Sequence, residues 1–126
     1  MNSAGAISNM NQKMKTVTLG VADQSRTARR ALEAFKGRKQ GARISFASPE
    51  LLFRILTMKR WELVRALASA GPVSIREAAR HVERDVKAVH SDIHALLNAG
   101  ILRRTKNGRI EFPFDAIHVD FMLHAA

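Results

Sequence analysis

The chain of 126 residues is 46% hydrophobic and carries 21 Lys and Arg against 11 Asp and Glu, a formal net charge of +10 with a sequence pI of about 11.3. That is enough for one compact core but not comfortably for two, and the charge favours a polyanionic partner, with nucleic acid ahead of an anionic membrane surface. The absence of cysteine excludes disulfides, thiolate nucleophiles and Cys-ligated zinc, and with no apolar run near the roughly 20 residues of a membrane span and no signal-peptide pattern, a cytoplasmic, nucleoid-associated protein with no membrane partner is expected.

The charge is uneven along the chain. Residues 1–43 hold nine Lys and Arg against two acids, a net +7, whereas residues 44–126 hold twelve against nine, a net +3. Residues 1–14 show no periodicity and receive no role. Over residues 15–21, Val17, Leu19 and Val21 alternate with Thr16, Thr18 and Gly20, the period of a strand with one buried face. Residues 24–36 place Ala28, Leu32 and Phe35 at helical spacing, with Arg26, Arg29, Arg30 and Lys36 on the other face. The stretch 37–43 contains two glycines and three cations and reads as a flexible linker. Residues 1–43 are therefore expected to form a basic strand-helix extension ahead of a domain over residues 44–126.

That domain opens on a brief extended piece, Ile44 to Phe46. Ser48-Pro49-Glu50 then supplies an N-cap, a first-turn proline and an acid at the positive helix end, predicting a short helix from Pro49 to Leu56. Thr57 can cap a second helix reaching about Ala70, with Leu63, Val64 and Leu67 inward, Trp61 beside that stripe, in the core or else at a dimer or partner surface, and Gly71-Pro72 closing it. Ser74-Ile-Arg-Glu77 is a capping box, so a third helix runs from there to about Val82. After Glu83-Arg84-Asp85, the pattern of Val86, Val89, Ile93, Leu96 and Leu97 predicts a fourth helix ended by Gly100. Two helices this close make a helix-turn-helix pattern. Residues 101–105 and 109–112 read as strands joined at Lys106-Asn107-Gly108, a hairpin that would serve as a wing. The tail from Ala116 alternates Ile117, Val119, Phe121 and Leu123 with polar residues. Its strand could pair with residues 17–21 of the same chain, with a second subunit or with another protein.

The fold expected from these pieces is mainly α within the α+β class: a winged helix-turn-helix domain with a β-hairpin wing, an N-terminal strand-helix extension and a C-terminal strand. A helix lying in the major groove of double-stranded DNA needs an apolar side against its domain and a polar side toward the bases. With Val86, Val89, Ile93 and Leu97 turned inward, Lys87, His90, Ser91 and His94 fall on the outer arc, and Arg84 just precedes the helix. Ser74 and Arg76, at the start of the third helix, are candidates for a phosphate contact at the positive helix end. Arg103, Arg104, Lys106, Asn107 and Arg109 on the hairpin are candidates for the minor groove or the backbone. His90 and His94 also have the spacing at which two imidazoles can share a metal ion, but no Glu lies between them and no third acidic ligand is evident nearby, so neither metal nor cofactor is expected. With no Cys, Tyr, phosphate-cradling glycine loop or obvious carboxylate pair, no catalytic constellation assembles, and an enzyme is not expected.

Ile44-Ser-Phe-Ala-Ser-Pro-Glu50, Leu56-Thr-Met-Lys-Arg60, Gly71-Pro-Val-Ser-Ile75, Arg84-Asp-Val-Lys-Ala-Val89 and Ala99-Gly-Ile101 resemble small prokaryotic winged-helix transcriptional regulators of the MarR/ArsR-like kind. The upstream strand and helix fit the same pattern, so the likeness covers most of residues 15–116. It implies a sequence-specific regulator, a repressor of its own operon that binds as a homodimer to a palindromic operator. Members of that group are often paired with a toxin of the TumE type, which implies the alternative of an antitoxin whose main task is to neutralise a cognate toxin protein. Where many winged helices carry glycine before the recognition helix, this chain has Glu83.

Overall fold

The computed structural model describes residues 14–22 and 41–122. The helix expected over residues 24–36, most of the stretch 37–43 and the last residues of the C-terminal strand lie outside them. The protein is an α+β fold with four helices among the described residues. In chain order these are β1 (Thr16–Val21), β2 (Ala42–Phe46), α1 (Pro49–Ile55), α2 (Met58–Ala70), α3 (Ile75–Val82), α4 (Val86–Ala99), β3 (Arg103–Arg104), β4 (Ile110–Glu111) and β5 (Ala116–Asp120). No helix among the described residues is long and apolar enough to cross a membrane.

One sheet has the order β2-β1-β5, with both outer strands parallel to β1. Leu19 stands opposite Ile44 on one side and Val119 on the other. Parallel strands need crossover connections, and the one from β2 to β5, which lie on opposite sides of β1, contains the four described helices and the hairpin. The alternation read over residues 15–21 therefore marks a central strand. Val17 and Leu19 are fully buried, while Thr16 and Thr18 on the other face are half-buried. The strand expected at the C-terminus pairs with β1 of its own chain. β2 begins at Ala42, so the boundary drawn after residue 43 falls within a strand, and Ala42 and Arg43 belong to the sheet and not to a linker.

Each helix starts where its cap places it. Ser48 accepts from the Leu51 N–H at 3.1 Å and Thr57 from the Arg60 N–H at 3.3 Å. In the capping box, Ser74 Oγ accepts from the Glu77 N–H at 3.1 Å and Glu77 Oε1 from the Ser74 N–H at 3.2 Å. Asp85 Oδ2 accepts from the N–H groups of Lys87 at 3.0 Å and Ala88 at 3.3 Å. Helix α3 packs on both α2 and α4, and α1 rests on β1, β2 and α4. The single core joins Val17 and Leu19 of the sheet to Leu52, Leu63, Leu67, Val89, Ile93 and Leu96 of the helices and to Ile110 of the hairpin.

Two local expectations are corrected. Val86 is 42% exposed, because the first residue of α4 lies at the rim of a cleft with Arg76, Ala79 and Arg80; the buried stripe is Val89, Ile93 and Leu96. The hairpin strands are also shorter than their apolar pattern suggests. Gly100 caps α4 at φ 84°, and Ile101 and Leu102 then turn into the core, leaving Arg103 and Arg104 as the paired residues. Val73 adds a third edge through two bonds with Ile110, of 3.0 and 2.7 Å. Trp61, for which both a core and a partner-surface place were open, is half-buried between two surface depressions.

Candidate nucleic-acid interface

The face in question is assembled by α3, α4 and the hairpin. Between the helices, Glu83 takes a left-handed conformation, φ 54° and ψ 49°, and is the one non-glycine with positive φ among the described residues. Glu83 and Arg84 close the end of α3 by donating their backbone N–H groups to Arg80 and Ala79 carbonyls, at 3.2 and 3.1 Å. The chain then reverses into α4 within three residues.

Helix α4 has two unlike sides. Opposite Val89, Ile93 and Leu96, the side chains of Lys87, His90 and Ser91 are exposed and His94 is half-buried. The imidazoles of His90 and His94 meet at 3.1 Å between their Nε2 atoms, so one donates and the other accepts. This places all four outer-arc candidates together on one helix.

Arg84 has a different role from the one expected. Its guanidinium folds back to Asp92 of α4, with Nη2 at 2.7 Å from Oδ2, and its side chain is only 20% exposed. The other oxygen of Asp92 accepts from Arg60 Nε at 2.9 Å, and Arg60 also donates to the Ile55 carbonyl at 2.9 Å. One carboxylate thus ties the end of α1, the start of α2 and the α3–α4 turn to α4. Burial raises the Asp92 pKa and is the largest single influence on it. The hydrogen bonds and charges of Arg60 and Arg84 together outweigh burial and hold the carboxyl below its usual value. Arg84 is therefore a positioning residue for the turn, not an outward donor to bases.

The hairpin cations divide in two. Arg103 is paired across the ladder with Glu111, at 3.0 Å from Nη2, and Arg109 reaches Glu77 of α3 at 3.2 Å. Arg104 and Lys106 are exposed and have no partner among the described residues. Thr105 fixes the tip by donating its N–H to the Arg109 carbonyl at 2.8 Å and accepting the Arg109 N–H on Oγ1 at 3.1 Å. Asn107 sits on that tip, exposed, beside Gly108 at φ 79°.

At the start of α3, the hydroxyl oxygen of Ser74 and one carboxylate oxygen of Glu77 are already committed to the capping box. The Glu77 pKa lies below its ordinary value, first because of the Ser74 backbone N–H and then the Ser74 hydroxyl, with the charges of Arg109 and Arg80 adding to the effect. This helix end thus holds the chain's own anion, and a phosphate there would meet it. Arg76, exposed on the next residues, keeps its guanidinium free of any partner among the described residues. Arg80, four residues on, stands with it along the cleft between α3 and α4. It was not among the candidates from sequence, although the i, i+4 spacing from Arg76 on a capped helix puts both on one side.

These parts define a class: a small α+β protein that carries two tightly linked capped helices and a basic hairpin on one compact core. The chain belongs to the HVO_A0114 family, which matches residues 55–119, from the end of α1 through most of β5. No curated protein and no solved structure matches it significantly.

Proposed function

We propose that the protein is a winged helix-turn-helix, sequence-specific double-stranded DNA-binding regulator that represses its own operon, with no catalytic activity. The observation that carries this reading is the two-sided character of α4, whose outer arc of Lys87, His90, Ser91 and His94 lies opposite a buried stripe. Such an arc is chemically suited to base edges: Lys87 donates, Ser91 donates or accepts, and each neutral imidazole can do one of each. Arg76, Arg80, Arg104 and Lys106, which make no ion pair among the described residues, are suited to phosphates on either side. The bonds from Val73 to Ile110 and from Arg109 to Glu77 support the reading of the hairpin as a wing held against the helix pair. The test is titration with the protein's own promoter fragment and a scrambled fragment at two salt concentrations. Preference for the promoter with a steep loss of affinity in salt is expected; equal affinity for the two fragments removes sequence specificity, and no binding to either removes the proposal.

The same reading makes the protein a homodimer, so that two copies of α4 address a two-fold operator. Exposed apolar side chains support a protein partner: Phe53 and Met58 border a groove with Trp61 and Val119, and Phe121 packs edge-on against Phe53 at 5.5 Å. That surface also favours a second reading, in which the main task is to bind a cognate toxin. Co-expression with the product of the adjacent gene decides between them: a stable complex that forms at the expense of the dimer supports the antitoxin role.

A further inference from the structure

We propose that His90 and His94 form a chelating site for one divalent late transition-metal ion, such as Cu²⁺, Ni²⁺ or Zn²⁺, on the outer arc of α4. The two Nε2 atoms stand 3.1 Å apart. Two nitrogens at that separation, each about 2.0–2.1 Å from a common ion, subtend roughly 100° at the metal. This lies between the right angle of square-planar or octahedral coordination and the wider angle of a tetrahedral site. The ring centroids are 4.2 Å apart and tilted by 45°, so modest rotation of the rings exchanges the shared hydrogen bond for a shared ion. Helical spacing of four residues holds both ligands from one rigid element, and much of the ordering cost of chelation is met when α4 folds.

The surroundings fix what kind of site this is. Neither imidazole has a carboxylate partner, and no group of three or more His, Asp or Glu suited to a metal occurs among the described residues. The described residues thus supply two ligands, and water completes the coordination. Neutral nitrogen ligands on an exposed helix select ions that favour imidazole over oxygen, in the order in which Cu²⁺ binds more tightly than Ni²⁺ or Zn²⁺, and exclude Mg²⁺ and Ca²⁺. Lys87, one turn earlier on the same arc, keeps the site electropositive and the affinity moderate. A bound ion would occupy both Nε2 atoms and replace two imidazole edges by a hydrated dication. This inference does not depend on DNA binding.

The test is titration of the full-length protein, without a His-tag, with Cu²⁺, Ni²⁺ and Mg²⁺ salts, followed by calorimetry and by electron paramagnetic resonance of the copper form. One equivalent of Cu²⁺ is expected to bind, with two nitrogen ligands in the spectrum, while Mg²⁺ gives no heat of binding. His90→Ala and His94→Ala should each weaken Cu²⁺ binding at least tenfold and leave one nitrogen from this site. Both positions face outward, so the variants should keep the wild-type circular dichroism, and His90→Gln and His94→Gln should behave alike. The control His118→Ala, on β5, should bind as the wild type. Absence of saturable Cu²⁺ binding at millimolar metal overturns the proposal. So does His90→Ala or His94→Ala binding with unchanged affinity, or His118→Ala losing as much as either.

Discussion

Asp92 accepts charged hydrogen bonds from Arg60 and Arg84, which come from different parts of the chain, and its side chain is 14% exposed. Replacing it by Asn leaves two poorly solvated guanidinium groups facing a neutral amide, so Asp92→Asn should lower unfolding stability by about 2–3 kcal/mol in urea titrations. The pH dependence follows from the lowered pKa of the carboxyl. Since the folded value lies below the unfolded one of about 3.9, the carboxylate's contribution is complete above that unfolded value and is lost as pH falls through the folded one. The stability gap between wild type and Asp92→Asn should therefore be flat from neutral pH to about pH 5 and shrink below about pH 4; a gap that persists unchanged into strong acid would contradict the ion-pair account. Glu83 poses the opposite case, a residue held in a conformation that costs it roughly 1 kcal/mol. Glu83→Gly should match or exceed wild-type thermal stability, whereas Glu83→Val, whose branched Cβ crowds the backbone at positive φ, should lose about 1–2 kcal/mol. Equal melting temperatures for the two variants would show that the turn relaxes out of this geometry.

At the scale of elements, the proposed recognition helix and wing make separable contributions. Of the hairpin cations only Arg104 and Lys106 lack partners among the described residues. Lys106→Ala should therefore weaken binding to promoter and scrambled DNA alike and lower the slope of log affinity against log salt by about 1. Arg103→Ala, whose wild-type charge is already balanced by Glu111, should change that slope less; an equal change would mean that the pair opens on DNA. Helix starts were legible in sequence because caps are local: Ser48, Thr57, Ser74 and Asp85 each act within three residues of their own position. The outer arc of α4 was legible for the same reason, its period being a property of one helix. Fates decided by distant partners were not. Nothing near Arg84 in sequence signals that Asp92, eight residues on, and Arg60 converge with it, or that Glu77 meets Arg109 thirty-two residues later. Val86 and the shortened hairpin likewise depend on where the core ends, which a periodic pattern does not mark.

For the whole molecule, the decisive feature is the parallel sheet that brings residues 16–21 between β2 and β5. The N-terminal strand is thereby a structural member of the domain; pairing of the C-terminal strand with residues 17–21 was one of the partners expected, but its parallel direction was not legible, since alternation marks a buried face and not a direction. Gly20 lies near the C-terminal end of this middle strand, where an added Cβ would run into the Arg43 guanidinium and come within 3.0 Å of the Asp120 carbonyl oxygen. The arginine end can move but the backbone oxygen is fixed by the pairing of Gly20 with Asp120. Gly20→Val should accordingly cost about 1–3 kcal/mol by overpacking, with hydrogen exchange rising first in β1 and β5; protection lost first in α4 would refute the central place given to this strand. Met58 is 71% exposed at the start of α2, beside Phe53 and Val119, and contributes little to the core. A charge placed there leaves the fold intact but disfavours an apolar contact with a second copy. If the proposed dimer forms through this groove, Met58→Glu should sediment as a monomer where the wild type sediments as a dimer, with unchanged circular dichroism, and bind a two-site operator much more weakly than the wild type, because linked half-sites gain from effective concentration only when the subunits are joined. A Met58→Glu protein that remains dimeric would move the subunit contact to another surface and leave this groove to a different protein.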